Sequence, residues 1–283
     1  MKYFSVTTEY LFKLEKGKRF IVLFLLSLPV GIAMSFANPI GALYGWLKGY
    51  TAGGDSFEDV WTFLGAVPAS VSGVGIAAAF ILMLFFMSVS STVISRSLRV
   101  GVFGIKGVFR DFNEGFIPVL QAVFGYTVAV LLIKVVATAL MLLAQGTLNV
   151  ALSAILSVGF LILAYFAVAS LMSIGIMYLP YMTFNGLNSF NAFTAACSGA
   201  SGKTFYRMLG AVVVPMAVCF AIMFAVGVAG NRWASLVVES VLNSAIVTYY
   251  LTLAFLSYYE ILGLVREDYP KDYFYYKPRR KGR

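Results

Sequence analysis

The sequence predicts an all-α protein: a polytopic transmembrane helix bundle of about six spans with cytoplasmic interfacial elbow helices. Of its 283 residues, 60% are hydrophobic and 12% are charged, whereas an ordinary soluble domain is about 25% charged. Three windows, 20–47, 60–95 and 135–202, contain no charge at all. A bilayer core takes ~20 apolar residues per helix. The windows lack the two-residue alternation of barrel strands, so the spans are predicted to be helices.

Six helices are predicted from these windows and from the turns between them. They cover residues 20–44, 67–94, 116–143, 150–179, 208–228 and 236–264. We divide the chain into a cytoplasmic interfacial segment (1–19), a six-helix transmembrane domain (20–264) and a basic, aromatic cytoplasmic tail (265–283). None of the segments outside the spans is predicted to fold as a separate soluble domain.

The basic residues of the predicted loops indicate the orientation. Eighteen Lys and Arg residues lie in the amino-terminal segment, the second and fourth loops and the tail, against two, Lys48 and Arg232, in the other loops. Lys and Arg accumulate in cytoplasmic loops. We therefore expect a multi-pass protein of the cell membrane with both termini in the cytoplasm. This topology accounts for the net charge of +9, and we expect no nucleic acid partner.

Three segments on the cytoplasmic side are predicted to lie in the membrane interface. Loops 97–115 and 185–205 carry apolar residues at three- and four-residue steps, which is typical of short interfacial helices. Segment 3–19 is predicted to be a third such helix, with Phe4, Leu11 and Leu14 facing lipid and Tyr10 at the interface. The rings and cations of the tail favour the headgroup layer. Membrane lipid is therefore an expected partner, and a protein docked on the tail is the alternative.

Lys134 is the charged residue that lies well inside a predicted span. It is about 18 residues into the third helix, or ~27 Å along it, which places it in the outer leaflet. Glu239, near the outer start of the sixth helix, lies at a similar depth. A cation costs ~2.5–3.5 kcal/mol at a helix centre and less toward the interface. We interpret Lys134 as a snorkelling cation or the ion-pair partner of Glu239, and an ion or proton pathway is the alternative.

Prolines and small residues distinguish four of the predicted spans. Pro29 and Pro39 interrupt the first helix, and Pro215 lies inside the fifth. Broken helices mark substrate sites in transporters, but Gly and Pro are also common in membrane helices generally. Small residues recur at about four-residue steps on the second and fourth helices, which predicts close helix packing. These are Ser70, Gly73, Ala77 and Ser88, and Ser153, Ser157, Ala169 and Ser173.

Residues 199–204 resemble the end of a phosphate-binding loop, G-x-x-x-x-G-K-[ST]. The first glycine that this motif requires falls on Cys197, and the preceding segment is predicted to be helical rather than a strand. We therefore predict no nucleotide binding. The sequence has no histidine and two cysteines. The usual ligand patterns of protein metal sites cannot be built from these residues. We expect no metal site, no cofactor and no catalytic residues.

Several stretches resemble a known family. They are Tyr178-Leu179-Pro180-Tyr181-Met182-Thr183-Phe184, Leu187-Asn188-Ser189-Phe190-Asn191-Ala192-Phe193, Gly202-Lys203-Thr204-Phe205-Tyr206-Arg207-Met208-Leu209, Tyr258-Tyr259-Glu260 and, more faintly, Ser27-Leu28-Pro29-Val30. They resemble a bacterial family of six-helix integral membrane proteins, related to the membrane domain fused to glycerophosphodiester phosphodiesterases. Apart from the faint match, the resemblance covers about residues 97–260. It implies a membrane bundle with cytoplasmic elbows and without catalytic residues.

The sequence favours an integral membrane protein without enzymatic chemistry. We expect an accessory or scaffolding subunit that contacts lipid or a membrane-protein partner. This expectation depends on the lack of a catalytic cluster or nucleotide motif and on the small number of charges within the spans. A small-solute transporter or channel is the alternative, suggested by Pro29, Pro39, Pro215 and Lys134.

Overall fold

A computed structural model describes residues 2–37, 73–147, 150–229 and 231–268. Within these ranges the chain is almost entirely helical and contains no strand. The described α-helices are α1 (Lys2–Thr8), α2 (Lys18–Ala37), α3 (Gly73–Val100), α4 (Val108–Thr147), α5 (Val150–Gly175), α6 (Tyr178–Asn185), α7 (Ser189–Gly199), α8 (Lys203–Val228) and α9 (Arg232–Leu262). Between α1 and α2, Glu9–Lys13 forms a π-helix and Leu14–Gly17 a 3₁₀ turn.

Six helices of the described chain are long and apolar enough to cross a membrane. They are α2 with the helical segment before it, α3, α4, α5 with α6 after it, α8 and α9. The predicted fold class is confirmed: the protein is an all-α, polytopic bundle and an integral membrane protein.

The six spans pack in chain order. Each contacts the next along the chain, and α9 returns to pack against α2 in the most extensive of the helix contacts. α9 also touches α3, so it lies inside the arc formed by the first spans. Spans that follow one another in the sequence are thus neighbours in space, which is the usual arrangement of consecutive elements.

One end of the described bundle carries most of its basic residues, and we call it the basic end. There α2, α4 and α8 begin and α3, α5 and α9 end. The Leu98 carbonyl of α3 accepts a hydrogen bond from the Glu267 N–H, at 3.1 Å, just beyond α9. The hydroxyl of Tyr258, near the end of α9, donates to the side chain of Asn185, the last residue of α6, at 2.6 Å. The helices α1, α6 and α7 are gathered at this end.

The two predicted elbows have different structures. The second contains a short helix as predicted, α7, and Asn188 caps it by accepting from the Asn191 N–H at 2.9 Å. The first elbow contains no separate helix: α3 continues to Val100, a turn follows, and α4 starts at Val108. The stacked rings of Phe112 and Phe116 continue the apolar stripe of the span. The helix therefore extends past the predicted boundary instead of stopping at it.

The amino-terminal segment is helical as predicted, but two of its side chains do not face the membrane as predicted. Tyr10 and Leu11 are fully buried in the protein, instead of facing the interface and lipid. The chain reverses at Glu15 and Lys16, which both have a positive φ of 53°. This reversal folds α1 back against α8 and α9, where the bundle supplies the apolar surface that we had assigned to lipid.

Helices α2 and α9 approach each other closely at Gly31. A Cβ atom at this position would overlap Ser244 Oγ and lie 2.5 Å from the Ser240 carbonyl oxygen. The Ser35 hydroxyl, one turn further, lies 3.1 Å from that of Ser240. Small residues let helix backbones come together in a membrane, where lipid is as apolar as a leucine side chain. This seam was not among the predicted small-residue faces.

The small-residue face predicted on the fourth helix is buried in the bundle. Ser153, Ser157, Ala169 and Ser173 of α5 all have no accessible surface. On α3, Ser88 is equally buried, whereas Ala77 is exposed and Ser70 lies outside the described residues. The α5 pattern therefore marks a packing face, as predicted.

Candidate functional site

A cluster of buried charges ties the two ends of the chain together at the basic end. The side chain of Asp268 has no exposed surface and accepts from Arg19 Nη1 at 2.8 Å and from Arg266 Nη2 at 2.7 Å. Both arginine side chains are 3% exposed. Arg19 also contacts Glu15 at 3.1 Å, which holds the strained turn in place. Two arginines and two carboxylates balance, so the cluster is a neutral clamp rather than an anion site.

Aromatic rings enclose the two arginines of this clamp. The guanidinium carbon of Arg19 lies 4.6 Å from the ring centroid of Tyr10 and 5.4 Å from that of Phe103. That of Arg266 lies 5.6 Å from the Tyr10 ring. A cation over an aromatic face is attracted by the ring quadrupole, more strongly when water is excluded. The clamp therefore joins the segment before α2, the α3–α4 turn and the residues after α9.

A polar pocket of about 170 Å³ opens beside the clamp, between α3, α4 and α6. Its lining residues are Thr92, Ser95, Arg96, Arg99, Val100, Asp111, Gly115 and Thr183. Two arginines and one acid thus line this space together with three hydroxyl side chains. Such a lining suits an anion with several oxygen acceptors.

The turn between α3 and α4 holds Arg96 in the pocket wall. Arg96 Nη1 donates to the Lys106 carbonyl, and Arg96 Nε lies 4.0 Å from Asp111 Oδ2. Gly107 has a φ of +82°, and a Cβ atom there would lie 2.6 Å from Arg96 Nη1. A glycine is therefore needed both for the backbone angle and for the space that the guanidinium occupies.

The structure buries both predicted intramembrane charges far from the basic end. Lys134 in α4 is 8% exposed and Glu239 in α9 is 2% exposed. α4 packs mainly on α3 and α5, whereas α9 packs mainly on α2 and α8. The Lys134–Glu239 pair stays a prediction.

Of the prolines proposed to break helices, Pro29 and Pro215 lie inside α2 and α8, which run on through them. Pro39 lies outside the described residues. Proline has no N–H, so Pro215 cannot donate to the carbonyl four residues earlier, that of Ala211. Instead, the Tyr249 hydroxyl donates to the Ala211 carbonyl at 3.0 Å. The next two carbonyls also accept from tyrosines: Val212 from Tyr250 at 2.7 Å, and Val213 from Tyr165 at 3.2 Å.

The segment that resembles a phosphate-binding loop has the wrong context. Helix α7 precedes it, where the motif requires a strand, and Gly202 precedes α8 with φ 58° and ψ −131°. Among the described residues no group of three or more His, Cys, Asp or Glu side chains is placed to hold a metal ion.

Sequence reasoning missed the clamp and the pocket. Arg19, Arg96 and Arg99 were counted as orientation signals in loops, which gave no information on what they contact. Asp268 is one of three acids in the predicted tail, with Glu267 and Asp272, so its charge alone did not distinguish it. For the pocket, the hydroxyl-rich end of α3 was the available signal.

No protein-family model matches the chain, and no curated protein or solved structure is significantly similar to it.

Proposed function

We propose that this integral membrane protein is a non-enzymatic scaffold that presents a rigid platform to a partner protein at the cytoplasmic face of the cell membrane. The platform consists of α1, α6, α7 and residues 263–268, all at the basic end. Both termini are cytoplasmic in this proposal, because Lys and Arg favour the cytoplasmic side. Membrane lipid surrounds the spans and the rim of the platform.

The observation that carries the proposal is the clamp of Arg19, Asp268 and Arg266. Breaking a buried ion pair costs ~3–5 kcal/mol, because one charge is left without compensation. The clamp fixes the segment that carries α1, and the Tyr258–Asn185 hydrogen bond holds α6. Both helices are short, and isolated helices below ~12–15 residues are marginal. Rigid aromatic groups held at a surface bind a partner without paying for their ordering.

Outward-facing aromatic side chains are the contact groups of the platform and its surroundings. Phe190 of α7 is 78% exposed and Tyr206, at the start of α8, is 72% exposed. Phe193, on the same helix as Phe190, is 46% exposed. Aromatic residues are enriched where membrane proteins meet the interface and where proteins bind each other.

A small-solute transporter is the second candidate. Lys134 and Glu239 are buried in membrane spans, and buried ionisable groups at such depth often belong to solute pathways. Against the transporter, the Tyr249 hydroxyl already donates to the Ala211 carbonyl, which Pro215 leaves without its helical donor. The proline in α8 therefore offers no open carbonyl at Ala211 for a solute.

The test is purification of the tagged full-length chain from its own membrane in mild detergent. We expect one partner protein at a fixed stoichiometry. The Phe190→Ser/Phe193→Ser variant should lose it, while Trp233→Ser, an exposed aromatic at the opposite end, should keep it. A chain that elutes without a partner and gives a solute flux in proteoliposomes that Lys134→Met abolishes would refute the scaffold and support the transporter.

A further inference from the structure

The pocket at the basic end has the lining of an anion site. Arg96 and Arg99 are one turn apart on α3, so both guanidinium groups reach the same space. A guanidinium donates in a planar fork that matches the oxygens of a phosphate group. The hydroxyl groups of Thr92, Ser95 and Thr183 donate to carbonyls of their own helices, so the guanidinium groups are the donors of this pocket.

Asp111 of α4 lines the same pocket. Its carboxylate lies 3.2 Å from Arg110 Nε through one oxygen and 4.0 Å from Arg96 Nε through the other. Arg110 is 81% exposed and is not one of the residues that line the pocket. Asp111 is thus shared with an outside cation, and its contact with Arg96 orients that guanidinium.

The pocket lies where the apolar part of the bundle meets its charged end. It reaches from Thr92 to Val100 on α3, about 12 Å of helix at ~1.5 Å per residue. Val100 at its edge is 62% exposed, and Phe109 on α4 is 70% exposed. An anion held here is therefore at the depth of lipid headgroups and beside apolar surface.

A strip of aromatic rings leads from the pocket toward the interior of the membrane. Phe112 follows Asp111 directly, and its ring lies 5.5 Å from that of Phe116 and 5.4 Å from that of Phe85. Phe85 is 36% exposed, and Phe112 and Phe116 are half-buried against the core. The strip provides apolar surface on which an acyl chain can lie, and a soluble phosphate compound would leave that surface unused.

We propose that this pocket binds the phosphate group of an anionic phospholipid. Arg96 and Arg99 donate to the phosphate oxygens, and an acyl chain lies along Phe85, Phe112 and Phe116. The inference goes beyond the scaffolding role and does not depend on it, because a chain without any partner protein would still hold the lipid.

The experiment titrates the delipidated, full-length protein in neutral detergent with short-chain phosphatidylglycerol, or phosphatidylcholine for comparison. Bound lipid is counted by native mass spectrometry. We expect one phosphatidylglycerol per chain and weaker phosphatidylcholine binding. Hydrogen bonds to charged groups are each worth about tenfold in affinity or more. Arg96→Gln/Arg99→Gln should therefore weaken binding by at least ~100-fold.

The matched control removes two exposed cations of the basic end that do not line the pocket, in Lys203→Gln/Arg207→Gln. At physiological ionic strength exposed charges are screened over ~8 Å, so this control should weaken binding by less than ~10-fold. If the pocket double variant does not fold, Arg99→Gln alone is used, with an expected ~10-fold loss.

Three results would overturn the proposal. Equal losses in the pocket and control variants would mean diffuse attraction to the basic surface. Equal affinity for phosphatidylcholine would remove the anion preference. Glycerol phosphate that binds as tightly as the short-chain lipid would assign the pocket to a soluble phosphate ester instead.

Discussion

The hydroxyl of Tyr249 donates a 3.0 Å hydrogen bond to the carbonyl oxygen of Ala211, which Pro215 leaves without its helical donor. The side chain from α9 thus repairs α8 at a depth where water is scarce. An unsatisfied polar group in lipid costs several kcal/mol. The position of a tyrosine on one span is therefore matched to a proline on its neighbour.

Tyr249→Phe should destabilise the protein by ~1–3 kcal/mol, the cost of a buried unsatisfied group. Pro215→Ala restores an N–H for Ala211, so the same tyrosine change should cost less in that background. The coupling energy should be at least ~0.5 kcal/mol, measured from unfolding in detergent. Tyr250→Phe is the control. Tyr250 donates to the Val212 carbonyl, and the helical donor to that carbonyl is the N–H of Met216, which is not a proline. Equal coupling for both tyrosines would contradict this account.

Gly31→Ala should destabilise the α2–α9 seam by ~1–3 kcal/mol, the usual cost of overpacking. The new methyl group meets Ser244 Oγ and the Ser240 carbonyl. Thermal unfolding in detergent measures the change. Gly125→Ala is the control, since nothing lies within 4 Å of its Cβ position, and it should be neutral. Adding Ser244→Ala should restore only part of the lost stability, because the contact with the Ser240 carbonyl persists. Full recovery would show that the Ser244 side chain alone limits how closely α2 and α9 approach.

Asp268→Asn should cost ~3–5 kcal/mol of unfolding free energy, because it leaves Arg19 and Arg266 buried without their carboxylate. Glu260→Gln is the control. Its pair with Lys2, at 2.7 Å, has side chains 25% and 53% exposed, so the loss should be ~0–1 kcal/mol. Limited proteolysis should also cut the amino-terminal segment faster in the Asp268 variant. Equal losses of unfolding free energy in the two variants would mean that the buried clamp stabilises the protein no more than an exposed ion pair does.

Lys134→Met and Glu239→Gln should show coupled effects on stability if the two side chains pair. The single Lys134 change leaves Glu239 without its countercharge, and the double change should recover part of the loss, with a coupling of ~0.5–3 kcal/mol. A double-mutant cycle on thermal unfolding in detergent measures it. Additive effects would remove the pair.

Topology reporters should place Gly282 in the cytoplasm and Gly53 outside the membrane. The expectation follows from the concentration of Lys and Arg in the segments that meet at the basic end. Cysteine accessibility in intact cells gives an independent measurement at both sites. An external signal at Gly282 or a cytoplasmic one at Gly53 would invert the proposed orientation, and the platform would then face away from the cytoplasm.

Much of the fold could be predicted because hydropathy and charge are local properties. The start of the fourth span at residue 150 and the end of the fifth at 228 agree with α5 and α8. The apolar steps of residues 185–205 likewise gave the second elbow. The first elbow was mispredicted because apolar spacing alone does not say whether a helix is separate or continues a span, as Phe112 and Phe116 of α4 do.

The sequence by itself determined that this is a helical membrane protein, how many described spans it has and which end is basic. Only the tertiary structure decided which residues meet. Arg19 and Asp268 are 249 positions apart, and nothing local connects them. Leu11 was assigned to lipid and is buried in protein, because a bilayer and a packed helix bundle are equally apolar and a hydrophobic side chain does not distinguish them. Contact between helices is set instead by shape and hydrogen bonding, as at Gly31 and Tyr249, and these depend on the partner helix.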